Sequence, residues 1–329
     1  MLTRRGFLET SLGVAALGAN AVRLLSKPGD KFQWACTSGM FRELPNQPDD
    51  TLKLLSDYGF EGLECSLKLE QSCKSVLDFK AKLDQYGIAC ANYWGVGDYY
   101  DPANPEKVRA TVADNISIAR DHIAVCGGKY MKVNLTMRDM KVHPMPNWWT
   151  DKEMAVLAKT LNEIGKGCAD VGVKFCFHPH NWTLIDTYEP EVKRIMAMTD
   201  PKLVYMVADT AHLSLGGTDP VKFVKEWFPR IGDVHYKDVI VKYSPVKSGW
   251  KGPAPGMDDI ENLYKPFGTG GVDFVAFTSV LRERGYDGWV SLDFDAGKGG
   301  SYASVAKFMG TNRKYLMETL HANLRSVKS

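Results

Sequence analysis

The chain has 329 residues, 44% of them hydrophobic and 24% charged, with a formal net charge of +2. This composition excludes a disordered or fibrous chain, and the near-neutral balance leaves no electrostatic footprint for nucleic acid. Seven cysteines (Cys36, Cys65, Cys73, Cys90, Cys126, Cys168 and Cys176) form no C-x-x-C pair and are odd in number, which argues against a disulfide framework or a thiolate zinc site.

Residues 3–21 read TRRGFLETSLGVAALGANA. Arg4 and Arg5 precede Phe7, Leu8 and a mild apolar stretch, and Ala19-Asn20-Ala21 offers an A-x-A-like cleavage site. The segment resembles a twin-arginine export signal, and residues 1–21 are expected to be that signal. Its apolar run is too short and too rich in Gly and Ala to span a membrane. The resemblance implies a folded, periplasmic or otherwise extracytoplasmic protein, with cysteines buried and metal loaded before export.

From residue 31 the chain alternates between short apolar runs and amphipathic stretches. Strands are predicted at Lys31–Cys36, Gly62–Cys65, Ala89–Tyr93, Tyr130–Leu135, Lys174–His178, Val204–Ala208, Asp233–Tyr236 and Trp289–Asp293. Helices are predicted at Asp49–Tyr58, Cys73–Tyr86, Pro105–Cys126, Asp151–Val171, Glu189–Met198, Pro220–Trp227, Asp273–Arg284 and Tyr302–Leu324. Gly59, Gly87, Gly172 and Gly285 fall where helices stop, in the phrases DYGFEGLE, QYGIACAN, DVGVKFCF and ERGYDGWV. Eight alternating strand and helix units, four of the junctions being helix-Gly-strand, predict a single-domain α/β fold, a (β/α)8 TIM barrel over residues 31–325. An open doubly wound sheet should carry a glycine-rich phosphate turn after its first strand, and CTSGMF has none.

Polar residues concentrate at the ends of the last four strands: His178-Pro179-His180-Asn181, Asp209-Thr210-Ala211-His212, His235-Tyr236-Lys237-Asp238 and Asp293-Phe294-Asp295. Barrel enzymes place their active sites on that face. A lone strand-end Asp is often only the N-cap of the next helix, and a lone His only a hydrogen-bonded structural group. Four of the seven histidines converging here favours a metal centre.

The phrases FCFHPHNW, VADTAHL, DVHYKDV and FGTGGVDF followed by YDGWVSLDFD resemble the xylose-isomerase-like barrel superfamily, the sugar phosphate isomerases/epimerases, nearest its inosose dehydratase and 3-keto-sugar lyase branch. The resemblance implies one divalent metal held by a residue from each of strands five to eight, commonly Glu, Asp, His and Glu. The matching positions are His178, Asp209, His235 and Asp293. Two usual glutamates are thus replaced, and His180 remains an alternative to His178. Manganese is the expected ion, with cobalt, iron, zinc or magnesium as alternatives.

The implied reaction is proton abstraction next to a carbonyl of a keto-sugar or 3-keto-glycoside, leading to elimination, hydration, epimerisation or isomerisation. His180 and His212 are candidate bases, Lys237 a second positive donor, and Trp94, Asn181 and Trp182 candidate substrate contacts. Trp148, Trp149, Trp250, Arg138 and Lys141 also fall in predicted loops. The alternative function is an exported sugar-binding barrel without catalysis, and a DNA-repair barrel of the endonuclease type is disfavoured by charge and leader. The only partner implied is the small sugar. No nucleic acid and no membrane span in the mature protein are expected, and a homo-oligomer is left open.

Overall fold

Eight parallel strands form the centre of the molecule: β1 (Gln33–Thr37), β2 (Gly62–Cys65), β3 (Ala89–Tyr93), β4 (Tyr130–Val133), β5 (Lys174–Phe177), β6 (Val204–Asp209), β7 (Ile231–Tyr236) and β8 (Trp289–Leu292). Each matches its predicted run within two residues at either end. The computed structural model describes residues 30–41, 48–134, 150–180, 188–252, 263–294 and 301–326. Outside them lie the expected export signal at residues 1–21 and Arg138, Lys141, Trp148, Trp149, Asn181, Trp182 and Asp295.

The strand order is β3-β2-β1-β8-β7-β6-β5-β4. The two outer strands of that order meet through a parallel bridge between Trp94 and Lys132. The Gly95 N–H donates to the Lys132 carbonyl at 2.8 Å on the same seam. A Cβ at position 95 would run into Asn115, Met131 and Val133, so only glycine lets the chain close the ring here. The result is the expected (β/α)8 barrel.

The surrounding helices are α1 (Asp49–Asp57), α2 (Val76–Tyr86), α3 (Pro105–Ile118), α4 (Asp151–Asp170), α5 (Tyr188–Met198), α6 (Pro220–Trp227), α7 (Phe274–Glu283) and α8 (Tyr302–Glu318). Helix α4 shows how the pattern works. Thr150 and Glu153 form a capping box at its start, and Met154, Leu157, Ala158, Leu161, Ile164 and Cys168 bury one face. The four glycines expected at helix ends all have positive φ, a region open to glycine at little cost.

Three boundaries differ from expectation. The long third helix gives way at Ala119–Ile123 to a wider π-turn, which carries His122 onto Glu70 at 2.8 Å. The last helix ends at Glu318, and His321 beyond it has φ of 52°, incompatible with a continuing helix. A short helix, Thr210–Leu215, begins directly at the end of β6. Among the described residues no helix is long and apolar enough to cross a membrane.

Alternate strand residues fill the barrel in layers. At the bottom, Trp289 packs with Ala35 and Ala91, with Tyr130 beside them. Above that plug the interior turns polar, with Glu64, Asn92, Lys132, Asp233 and His235 all fully buried. The histidines and aspartates of the strand ends sit over them.

Candidate metal centre

Strands β6 and β7 pair so that Asp209 lies directly beside His235. Asp209 is also the N-cap of the Thr210–Leu215 helix. Its Oδ1 accepts the N–H groups of Ala211 and His212, both at 2.9 Å. Its Oδ2 is buried with no hydrogen-bond partner among the described residues. The cap thus uses one oxygen of the carboxylate and leaves the other available to a metal, so the two readings of this residue are compatible.

Around that oxygen stand His178 Nε2 at 3.6 Å and His235 Nδ1 at 3.6 Å, with Asp293 Oδ2 at 3.4 Å from His235 Nδ1. Both nitrogens of His178, and Nδ1 of His235, likewise lack a hydrogen-bond partner among the described residues. A buried polar group without a partner costs about 1–3 kcal/mol, so His178 Nε2, Asp209 Oδ2 and His235 Nδ1, gathered in one place, require an explanation. The spacing supplies it. Two ligands about 2.1 Å from one ion at a tetrahedral angle stand about 3.4 Å apart. His178, Asp209 and His235 thus form a group able to hold a divalent ion.

The electrostatics suit the same reading. Burial alone would raise the Asp209 carboxyl, but His212, His178 and His235 outweigh it and hold the group well below the usual carboxylate range. Asp293 is likewise pushed up by burial and brought well below its usual value by Lys237 and His235. Burial drives His178 and His180 well below the ordinary imidazole value, so both are neutral. His235 goes the other way. Burial and Lys132 lower it, yet Glu64, Asp209 and Asp293 together raise it well above the ordinary value.

The other candidates gather at the rim of this group. His180 packs edge-on against His178, with ring centroids 4.4 Å apart, and stacks on His212 at 4.2 Å. His178, His180 and His212 form a second set of metal-ligand type. Lys237 Nζ contacts Asp293 Oδ2 at 3.1 Å and lies 4.2 Å over the Tyr264 ring. Trp94 is half-buried, with its ring 5.8 Å from that of His178. Trp250 is elsewhere, donating its Nε1–H to the Leu215 carbonyl at 3.1 Å.

Sequence reasoning passed over the layer beneath. Lys132 on β4 is wholly buried, forms a close ion pair with Glu64 on β2, and lies 2.7 Å from His235 Nε2. Glu64 Oε2 is 2.8 Å from the same nitrogen. Burial tends to raise the Glu64 carboxyl, but Lys132 and His235 prevail and lower it. Asn92 donates to Asp233, completing a polar floor. The available signal was a charge inside a strand that should be continuously apolar. The FGTGG phrase also gains a physical meaning. Asp238 accepts N–H groups from Gly268 (3.0 Å), Gly270 (2.9 Å) and Val272 (3.0 Å), so this carboxylate ties down the loop after β7 and lies outside the His/Asp group.

The sequence model described as xylose isomerase-like TIM barrel matches residues 52–312. An inosose dehydratase of Clostridium botulinum (strain Alaska E43 / Type E3) is 28% identical over 276 residues, covering 79% of this chain and 85% of the relative. The IOLI protein, solved with a zinc atom bound, is 16% identical with a TM-score of 0.68, over 87% of this chain and 97% of its own. The 3-keto-D-glucoside 4-epimerase of E. coli is 18% identical with a TM-score of 0.66, over 86% of this chain and 99% of its own. At such identities the two structural matches speak for the fold.

Proposed function

The chain belongs to the xylose isomerase-like TIM barrel family, and from that premise we propose that it is a metal-dependent enzyme that removes a proton next to the carbonyl of a keto-sugar or 3-keto-glycoside. The observation that carries this reading is the convergence of His178 Nε2, Asp209 Oδ2 and His235 Nδ1, all buried without hydrogen-bond partners among the described residues. Asp293 is the fourth ligand in this reading, and manganese the resident ion. A bound divalent ion supplies the positive centre that a developing enolate requires.

The protein groups have separate tasks. His180 is neutral, borders the His178 ring and takes the substrate proton. His212 stacks on His180, which fixes the orientation of its ring, and offers a polar edge to a sugar hydroxyl. Lys237, anchored on Asp293, adds a second positive donor beside the reacting carbonyl. Trp94 presents an aromatic face to the C–H side of the sugar. Asn181 and Trp182, which follow His180 in the sequence, are further substrate contacts in this reading. With histidine at position 178 and the shorter Asp293 in place of the usual glutamates, a two-carboxylate proton shuttle loses its members. The chemistry moves towards a His-assisted lyase or hydratase. The inosose dehydratase relative supports a keto-sugar type of substrate. The twin-arginine leader supports action outside the cytoplasm, where an unphosphorylated glycoside is the natural choice.

The test is solvent deuterium exchange into a panel of keto-sugars and 3-keto-glycosides, with Mn2+-loaded protein. Exchange is expected next to the carbonyl, and His180→Ala should slow it by roughly 100-fold while keeping its metal. No exchange and no turnover by the loaded wild type would refute the assignment.

A further inference from the structure

Directly beneath the candidate metal position lies another group of ligand-type side chains. Glu64 of β2 and Asp233 and His235 of β7 bring a carboxylate oxygen, a second carboxylate oxygen and an imidazole nitrogen within 4.8 Å of one another. His235 belongs to both groups. Its Nδ1 faces Asp209 and Asp293, and its Nε2 faces Glu64 and Asp233. Yet this lower group already contains a cation. The ammonium of Lys132 reaches in from β4, pairs with Glu64 and stands 2.7 Å from His235 Nε2.

We infer that the Lys132 ammonium is the resident cation of a second cation position that shares His235 with the first, and that it keeps the centre mononuclear. Three observations carry this. Lysine is almost never fully buried without a charge partner, and here it is buried completely, on a strand three places from that of His235 in the strand order. Its ammonium nitrogen lies over the Trp94 ring, 4.0 Å from the ring centroid, so the charge is aimed and not merely accommodated. Glu64 Oε1 is buried without a hydrogen-bond partner among the described residues, as expected of a ligand group filled by a single ammonium that reaches only its other oxygen.

The arrangement has a consequence for the metal above, and this part rests on the metal reading. Two divalent ions on opposite nitrogens of one imidazole would require that ring to lose both protons. An ammonium in the lower position neutralises Glu64 without that demand. Unlike a bound ion, a tethered ammonium is not removed by a chelator. Lys132 is thus a positioning residue for the centre.

The test counts ions. Wild-type protein, Lys132→Ala and Lys132→Asn are equilibrated with excess Mn2+ or Zn2+ alone, desalted and analysed for metal, with circular dichroism to check the fold. Wild type should hold one ion and Lys132→Ala two. The Mn2+-loaded variant should show a spin-coupled pair by electron paramagnetic resonance, and added propylammonium should return it towards one ion. Lys132→Asn, which leaves a polar group in the position, covers the case in which the alanine variant needs metal to fold. Metal-dependent folding with two ions supports the inference. Two ions in the wild type, or one ion in both folded variants, overturns it. A wild type that binds no ion refutes the upper metal site alone, and a gain of one ion in Lys132→Ala would still support the lower position.

Discussion

Asp209 divides its oxygens between a helix cap and the candidate metal, which makes the two roles separable by mutation. In Asp209→Asn the side-chain oxygen can still accept the Ala211 and His212 N–H groups, but the charge is gone. Metal affinity should fall by about 100-fold or more while the metal-free protein unfolds at nearly the same denaturant concentration. Asp209→Ala should lose the metal and also about 1 kcal/mol of cap. Wild-type metal content in the asparagine variant would remove Oδ2 from the ligand set. His235 gives a pH prediction at the same scale. In the metal-free chain Glu64, Asp209 and Asp293 overcome burial and Lys132 and raise its pKa well above the ordinary value, so it is protonated near neutral pH. His178 is lowered by burial and is already neutral. Loading should therefore release about one proton per ion, from His235. Proton and ion compete, so affinity rises with pH and falls in acid. Calorimetry in buffers of different ionisation enthalpy reads this directly. Identical heats in all of them would contradict it.

At the scale of elements, the segment after β7 shows how a carboxylate can organise a loop. Asp238 is buried and satisfies the N–H groups of Gly268, Gly270 and Val272 as well as its neighbour Val239. A Cβ at Gly270 would collide with Val239 and Asp238, so glycine is what permits the approach. Asp238→Ala would strand several buried donors at about 1–3 kcal/mol each. We expect the melting temperature to drop by roughly 5–10 °C, on the usual scale of a few degrees per kcal/mol for a chain of this class, with Asp238→Asn between it and the wild type. A melt within a degree of the wild type for the alanine variant would show that the cradle contributes nothing. This element also marks how far the sequence can be read. The strands were legible because each is a short apolar run, four of them introduced by a helix-ending glycine, and the strand-end His and Asp residues stood out because they interrupt or end those runs. The Thr210–Leu215 helix is too short to show a period. Glu64, Lys132 and Asp233 were hidden for a different reason. Each looks like an isolated charge within its own strand, and only the closing of the barrel brings Lys132 to Glu64 and His235 across 68 and 103 residues of chain.

For the molecule as a whole, the chemistry of its thiols bears on where it works. All seven cysteines are free, and six are buried. Burial pushes the thiols of Cys126 and Cys168 up to about 12 and those of Cys36, Cys65 and Cys176 well above the ordinary value. The thiolate is the reactive form, so a folded chain is nearly inert to oxidation and an unfolded one is not. Cys73 differs in being only half-buried, although that burial still raises its thiol. A thiol reagent should therefore modify about one site per folded chain quickly and all seven only after denaturation. Such a protein is best suited to an oxidising compartment if it arrives folded, which is what the proposed twin-arginine leader around Arg4 and Arg5 would provide. Replacing both arginines with lysine should leave the protein in the cytoplasm. Rerouting the mature chain through an unfolded-state export signal should yield metal-poor, disulfide-scrambled product outside it. Fractionation with thiol titration and metal analysis separates the cases. Equal export of the lysine variant would exclude the twin-arginine route, and fully reduced, metal-replete protein from the rerouted chain would show that folding before export is not what protects it.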